Sequence, residues 1–175
     1  MNSFPNKTFY ITSDSDNVMG ADNQQERLNK SWVVGFVDGE GCFHVAINRQ
    51  HAMKLGWQVL PEFRIVQHKS DMQILEKLQA FFGCGIIGKN HDDRMELRIR
   101  GIENLSQVVK FFKNNPLWTK KGGSFEKFAE ILALMKNGAH LNKEGLDKIA
   151  SLAWQMNRKT KPKYLESSET IRRTP

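Results

Sequence analysis

The stretch Ser31-Trp32-Val33-Val34-Gly35-Phe36-Val37-Asp38-Gly39-Glu40-Gly41 constrains the rest of the chain more than any other. Its apolar residues recur at helical spacing, and it closes on two acids flanked by glycines. Strand-like alternation starts at the next residue. The helical pattern begins at Glu26, and Leu28, Trp32, Gly35, Phe36 and Gly39 share one stripe at spacings of three and four. A glycine inside a helix costs about 1 kcal/mol against alanine. Two on one stripe need a reason, either a fraying helix end or close approach of a second backbone.

From Cys42 to Gln50 the residues alternate, with Phe43, Val45 and Ile47 on one side and His44, Ala46, Asn48 and Gln50 on the other. Trp57 to His68 alternates too: Trp57, Val59, Phe63 and Ile65 oppose Gln58, Glu62 and Arg64. Pro61 within this run predicts an edge or a bulge. The two runs make a long antiparallel hairpin with one apolar face. Ser70 is the expected N-cap of a helix striped by Met72, Ile74, Leu75, Leu78, Phe81 and Phe82. Gly83-Cys84-Gly85 ends it. Ile86 to Lys89 and Arg94 to Arg100 form a second hairpin, with Met95, Leu97 and Ile99 inward. Leu105, Val108, Val109 and Phe112 mark a helix stopped before Pro116, and two more helices are expected at about Ser124 to Lys136 and Asn142 to Met156.

This order predicts an α+β fold with one four-stranded antiparallel sheet backed by helices. Residues 1–24 are polar and aperiodic and are expected to form a flexible arm; residues 25–157 form the domain, and 158–175 a basic tail. The tail holds Arg158, Lys159, Lys161, Lys163, Arg172 and Arg173 against only two acids, and supplies much of the net charge of +7. That balance points to an anionic partner. No apolar run is long enough for a transmembrane helix, and the N-terminus has neither a signal-peptide nor a transit-peptide layout. Cys42 and Cys84 are too few and too far apart for a zinc site or a disulfide framework, and both are expected to be reduced, half-buried strand residues. The sheet's second face is rich in Arg, Gln, Asn and His. It is either a solvated face or a surface that reads DNA, since a two-stranded ribbon fits the major groove.

From Val33 to Gly41 the chain resembles the LAGLIDADG motif of homing endonucleases. The helix, hairpin, helix, hairpin and helices that follow match that family's αββαββα core. Val34 stands where the motif name has Ala, and Glu40 where it has Asp. The motif occurs once, and single-motif members are homodimers whose motif helices pack on the two-fold axis. The resemblance therefore implies a dimer interface at Trp32, Gly35, Phe36 and Gly39, and a pseudo-palindromic double-stranded DNA site. It implies site-specific, metal-dependent cleavage of both strands, leaving 3′ overhangs.

Under that resemblance Glu40 is a catalytic metal ligand, with the carbonyl of Gly39 as a second oxygen. Mg²⁺ is the expected ion, with Mn²⁺ substituting and Ca²⁺ supporting binding without cleavage. Asp38 is expected to be structural. Gln67 matches the residue that positions solvent, and Lys121, or its neighbour Lys120, the one that stabilises charge at the scissile phosphate. His91-Asp92-Asp93 is read as a hairpin turn. Base contacts are assigned to His44, Asn48, Gln50, Gln58, Arg64, Arg94, Glu96, Arg98 and Arg100, with Glu96 suited to accept from cytosine. Lys159, Lys161 and Lys163 are assigned to phosphates. The alternative within the same fold is an RNA-binding intron-splicing maturase, or a DNA-binding regulator that does not cut. The family's frequent coding in group I introns implies an organellar origin, with the chloroplast favoured over the mitochondrion, and no membrane partner.

Overall fold

Asn29 sets the start of the motif helix. Its side-chain oxygen accepts from the backbone N–H groups of Ser31 at 2.8 Å and Trp32 at 3.3 Å, satisfying donors that a helix leaves unpaired in its first turn. The structure, a computed structural model, describes residues 28–156 and 163–166. The expected arm and most of the basic tail, including Lys159 and Lys161, lie outside the described residues. Helix α1 spans Lys30–Glu40 and runs without a linker into strand β1, Gly41–Arg49. Only glycine fits this junction. A Cβ on Gly41 would lie 2.6 Å from Val37 Cγ1 and 2.9 Å from the Val37 carbonyl oxygen.

Strand β2 covers Trp57–His68, α2 Met72–Phe82, β3 Ile86–His91, β4 Arg94–Ile99 and α3 Ile102–Asn114. Helices α4, Lys121–Lys136, and α5, Lys143–Met156, complete the order. This is the expected αββαββα arrangement with two further helices. The strands lie in the order β1-β2-β4-β3, and every neighbouring pair is antiparallel. One face of the sheet carries Phe43, Val45, Val59, Phe63, Ile65, Leu97 and Ile99, all buried under the helices. Phe43, Phe63, Phe82, Phe112 and Phe125 make a chain of ring contacts between that face and α2, α3 and α4.

Several local expectations change. Pro61 sits in an interior strand, opposite Val45. The pairing of β2 with β4 begins only at Phe63, so the missing N–H of Pro61 falls where β2 still has a free edge. Ser70 does not cap α2. It lies in a 3-10 turn, Lys69–Asp71, where its backbone N–H donates to His68 Nδ1 at 3.2 Å. Helix α4 begins three residues earlier than its apolar stripe suggests, at Lys121. Cys42 is in β1 but exposed, on the polar face; Cys84 is half-buried in the loop before β3. The inward face of α1 is Val33, Val34 and Val37; of the expected stripe, Trp32, Gly35 and Gly39 turn to the outside, while Phe36 is half-buried at the margin of the core.

Phe112 is 1 % exposed and touches the rings of Phe43, Phe63, Phe82, Phe111 and Phe125. Phe112→Ala should destabilise the fold by about 3–5 kcal/mol, read as a lower urea midpoint with an unchanged slope.

Candidate functional site

The C-terminal end of α1 meets the turn that leads into α4, and two side chains, Asp38 and Lys121, reach across between them. The Asp38 carboxylate accepts from the N–H of Trp118 at 2.7 Å, the hydroxyl of Thr119 at 2.8 Å and the N–H of Thr119 at 3.4 Å. In return, Lys121 Nζ donates to the carbonyl oxygens of Val37 at 2.7 Å and Gly39 at 3.1 Å. The Thr119 hydroxyl oxygen also accepts from the backbone N–H of Lys121 at 3.2 Å. An ammonium on the last carbonyls of a helix is a favourable cap. Glu40, exposed at the same helix end, is the opposite case: a carboxylate at the negative pole of a helix is disfavoured unless a cation accompanies it.

The surroundings shift two of these groups. Lys121 is held below its ordinary pKa because burial disfavours the ammonium; the charges of Asp38, Cys42 and Glu40 offset this only in part. Burial works against the charge of Asp38 as well. The Trp118 and Thr119 donors and the Lys121 charge outweigh that burial, so its pKa ends below the usual carboxylate value. The exposed Lys120 is not the lysine that grips the motif helix. Gly41, Cys42 and Phe43 face Thr119, Lys121, Ser124 and Met156 across a cleft of about 500 Å³. Gln67, half-buried, lies two residues past Ile65, the register partner of Gly41, at the same end of the sheet as Glu40. Of the residues proposed from sequence, Lys121 and Gly39 are in direct contact and Glu40 is the next residue of the helix, whereas Gln67 shares only the end of the sheet with them. Sequence reasoning missed Thr119; its place directly before two lysines, after Pro116, was the available signal.

The polar face of the sheet runs away from that corner. His44 opposes Glu62, Asn48 opposes Gln58, Arg64 opposes Arg98, and Arg94 opposes His68. Gln50 lies just past β1, where its N–H donates to the Gly56 carbonyl at 2.8 Å. Burial and the neighbouring Arg64 hold His44 below its ordinary pKa, with Glu62 opposing. Glu96 departs from its sequence assignment. It lies on the expected face but is 2 % exposed, and it accepts hydrogen bonds from Arg98 and from Asn90 Nδ2. Its oxygens are committed to the protein and are not presented to a base. Lys163 is exposed in a short helical segment, 163–166. On the outer face of α1, Gly35 and Gly39 have open space where a Cβ would stand, and Trp32 stacks on Phe36 with ring centroids 4.8 Å apart.

A sequence model described as LAGLIDADG endonuclease matches residues 33–132, from the motif helix through most of α4. The chain belongs to this family. Among LAGLIDADG proteins of known structure, the homing endonuclease I-TnaI is 56 % identical, with a TM-score of 0.78 over 82 % of this chain and 98 % of its own. I-SmaMI bound to cleaved DNA is 35 % identical, with a TM-score of 0.78 over 85 % of this chain and 50 % of that one. Among curated LAGLIDADG relatives, a probable intron-encoded endonuclease of Neurospora crassa is 35 % identical over 77 % of this chain and 26 % of its own length. The chain therefore spans about a quarter of that relative, half of I-SmaMI and nearly all of I-TnaI. Among the described residues, no group of three or more His, Cys, Asp or Glu could hold a metal ion by itself, and no helix is long and apolar enough to cross a membrane.

Asp38→Asn should keep the fold but loosen the 118–121 turn, lowering stability by about 1 kcal/mol, since solvent reaches the carboxylate. The folded-state pKa of Asp38 lies below its unfolded value. Its contribution is therefore present above the ordinary carboxylate pKa and lost as pH falls through the folded one. Thermal melts between neutral and strongly acid pH should show the difference between wild type and Asp38→Asn shrinking toward the acid end.

Proposed function

We propose that the chain is a site-specific DNA endonuclease. In this reading it works as a homodimer that cuts both strands of a long pseudo-palindromic site, leaving 3′ overhangs. The observation that carries the proposal is the joining of two features in one fold. An arginine-rich sheet face runs up to a corner where Glu40 stands at a helix C-terminus beside a partly buried lysine. One relative, I-SmaMI, has been seen bound to cleaved DNA and, in the presence of calcium ions, to its uncleaved DNA target.

The donor set suits a hard divalent ion such as Mg²⁺, with Mn²⁺ as a substitute. One chain offers the Glu40 carboxylate and the second lone pair of the Gly39 oxygen, whose first accepts from Lys121. That is too few ligands for a cage made of protein alone, and it fits an ion that completes its shell with phosphate oxygens and water. Such an ion supplies charge neutralisation at the phosphate and a more acidic water. Glu40 binds and orients. Gln67 positions solvent from the end of β2. Lys121 holds a proton at Nζ and offsets charge at the scissile phosphate, and its lowered pKa brings that proton nearer to exchange at working pH.

The outward stripe of α1 supports the two-fold assembly. A second copy of the helix seated on Gly35 and Gly39 would bring two Glu40 carboxylates together, one for each strand. Asn48, Gln50, Gln58, Arg64, Arg94, Arg98 and Arg100 then face base edges, and Lys163 suits the backbone. The intron-encoded relatives support an origin in an organellar intron.

A cleavage selection on a randomised DNA library with Mg²⁺ tests the activity and finds the site together; no enriched cut sequence would refute the proposal. On that site Glu40→Gln should slow cleavage at least roughly a hundredfold while leaving DNA affinity near wild type. Gly35→Leu should leave the monomer folded, because a Cβ there meets nothing within 4 Å. It should also shift sedimentation from dimer to monomer; a wild-type monomer that binds the full site alone would rule out the two-fold assembly.

A further inference from the structure

Two carboxylates lie buried on the face of the sheet that is otherwise its most polar. Glu62 is 5 % and Glu96 2 % exposed. A carboxylate is costly to bury unless it is paired, and both are paired with arginines of the same face. Glu62 Oε2 accepts from Arg100 Nε at 2.8 Å and Nη2 at 2.7 Å. Glu96 Oε1 accepts from Arg98 Nη2, and its Oε2 from Asn90 Nδ2 at 2.8 Å. Arg64 stands between them, with Nε 3.4 Å from Glu62 Oε1 and Nη1 3.9 Å from Glu96 Oε2. The acids are covered, whereas the side chains of Arg64, Arg98 and Arg100 are 29 %, 36 % and 46 % exposed. The layering is the same on β2 and β4, with carboxylates below and guanidinium groups at the surface.

We propose that Glu62 and Glu96 are positioning residues for base discrimination. They fix the guanidinium groups of Arg64, Arg98 and Arg100 before DNA arrives, so that these arginines meet the base edges with little side-chain freedom left to lose. The inference rests on the DNA-binding reading above and replaces the role of Glu96 as a cytosine acceptor. Its rival is that the acids serve stability alone. The two differ in sign. Removing a negative charge from a DNA-facing surface strengthens binding to any duplex by Coulomb attraction alone. Removing a positioning group weakens discrimination between sequences, because an arginine no longer held makes its paired contact less faithfully.

The test uses the full chain, Glu96→Gln and Glu62→Gln, the site recovered by selection, all its single-base variants, and a random duplex. Binding is measured in competition. The expected result is unchanged or tighter binding to the random duplex, with discrimination falling about tenfold at a few adjacent positions of each half-site and unchanged elsewhere. In the DNA-free protein, the Nη–H NMR signals of Arg98 in Glu96→Gln and the Nε–H signal of Arg100 in Glu62→Gln should lose their protection from solvent exchange. Glu96→Asp should restore part of the discrimination. A discrimination profile identical to wild type overturns the proposal and leaves the endonuclease reading standing. So does a loss spread evenly over every position, which marks a structural role. Wild type that fails to prefer its selected site over random duplex overturns both. Should Glu96→Gln not fold, Glu62→Gln carries the same comparison through a different carboxylate.

Discussion

The motif helix ends in a crossed tie. Asp38 reaches forward to the turn that starts α4, and Lys121 reaches back from that turn to the last carbonyls of α1. Each contact joins a charge to groups that a helix or turn leaves unpaired. The tie spans about eighty residues of sequence and fixes the end of α1, and with it Glu40, relative to the helical layer. The lowered pKa values of Asp38 and Lys121 both arise within it, one from donors gained and the other from water lost.

The sheet divides its work by face. The helix side is a cluster of phenylalanine rings and aliphatic side chains, with Phe63 and Ile65 of β2 fully buried beneath it. The opposite side is charged, yet it is ordered by the same kind of economy: no carboxylate is buried there without an arginine beside it. Arg64 joins the two halves of that network, Glu62 on its own strand and Glu96 on the neighbouring one.

Much of the architecture was legible in the sequence because periodicity reports which side of an element is buried. The alternation of Phe43, Val45 and Ile47, and of Met95, Leu97 and Ile99, located both hairpins. The motif placed Glu40 at a helix end. What failed were features set by specific side-chain partners, near or distant in the chain, rather than by periodicity. Helix α4 starts at Lys121, ahead of its apolar stripe, because Thr119 and the α1 carbonyls hold that turn, and no local pattern records them. Ser70 has the right chemistry for a cap, but its hydroxyl is engaged by His68 Nδ1 at 2.9 Å and α2 starts only at Met72. Glu96 alternates with buried residues like any surface acid; its burial comes from Arg98, Asn90 and the nearby Arg64, which a one-dimensional pattern cannot weigh. The glycines were read as a helix-packing device. Within the motif, the glycine that sterics require in a single chain is Gly41, two residues beyond that stripe.

That glycine has a consequence for how the molecule can change. Helix α1 passes into β1 with no loop between them, and Val37 leaves no space for a side chain at the joint. The rotational phase of the helix and the up-down phase of the strand are therefore geared together. Substituting surface residues along β1 leaves the gearing intact, so the face it presents can diversify while Glu40 stays in place. Adding or deleting a single residue at the joint would invert every side chain of β1 relative to the helix, and no slack exists there to absorb the change.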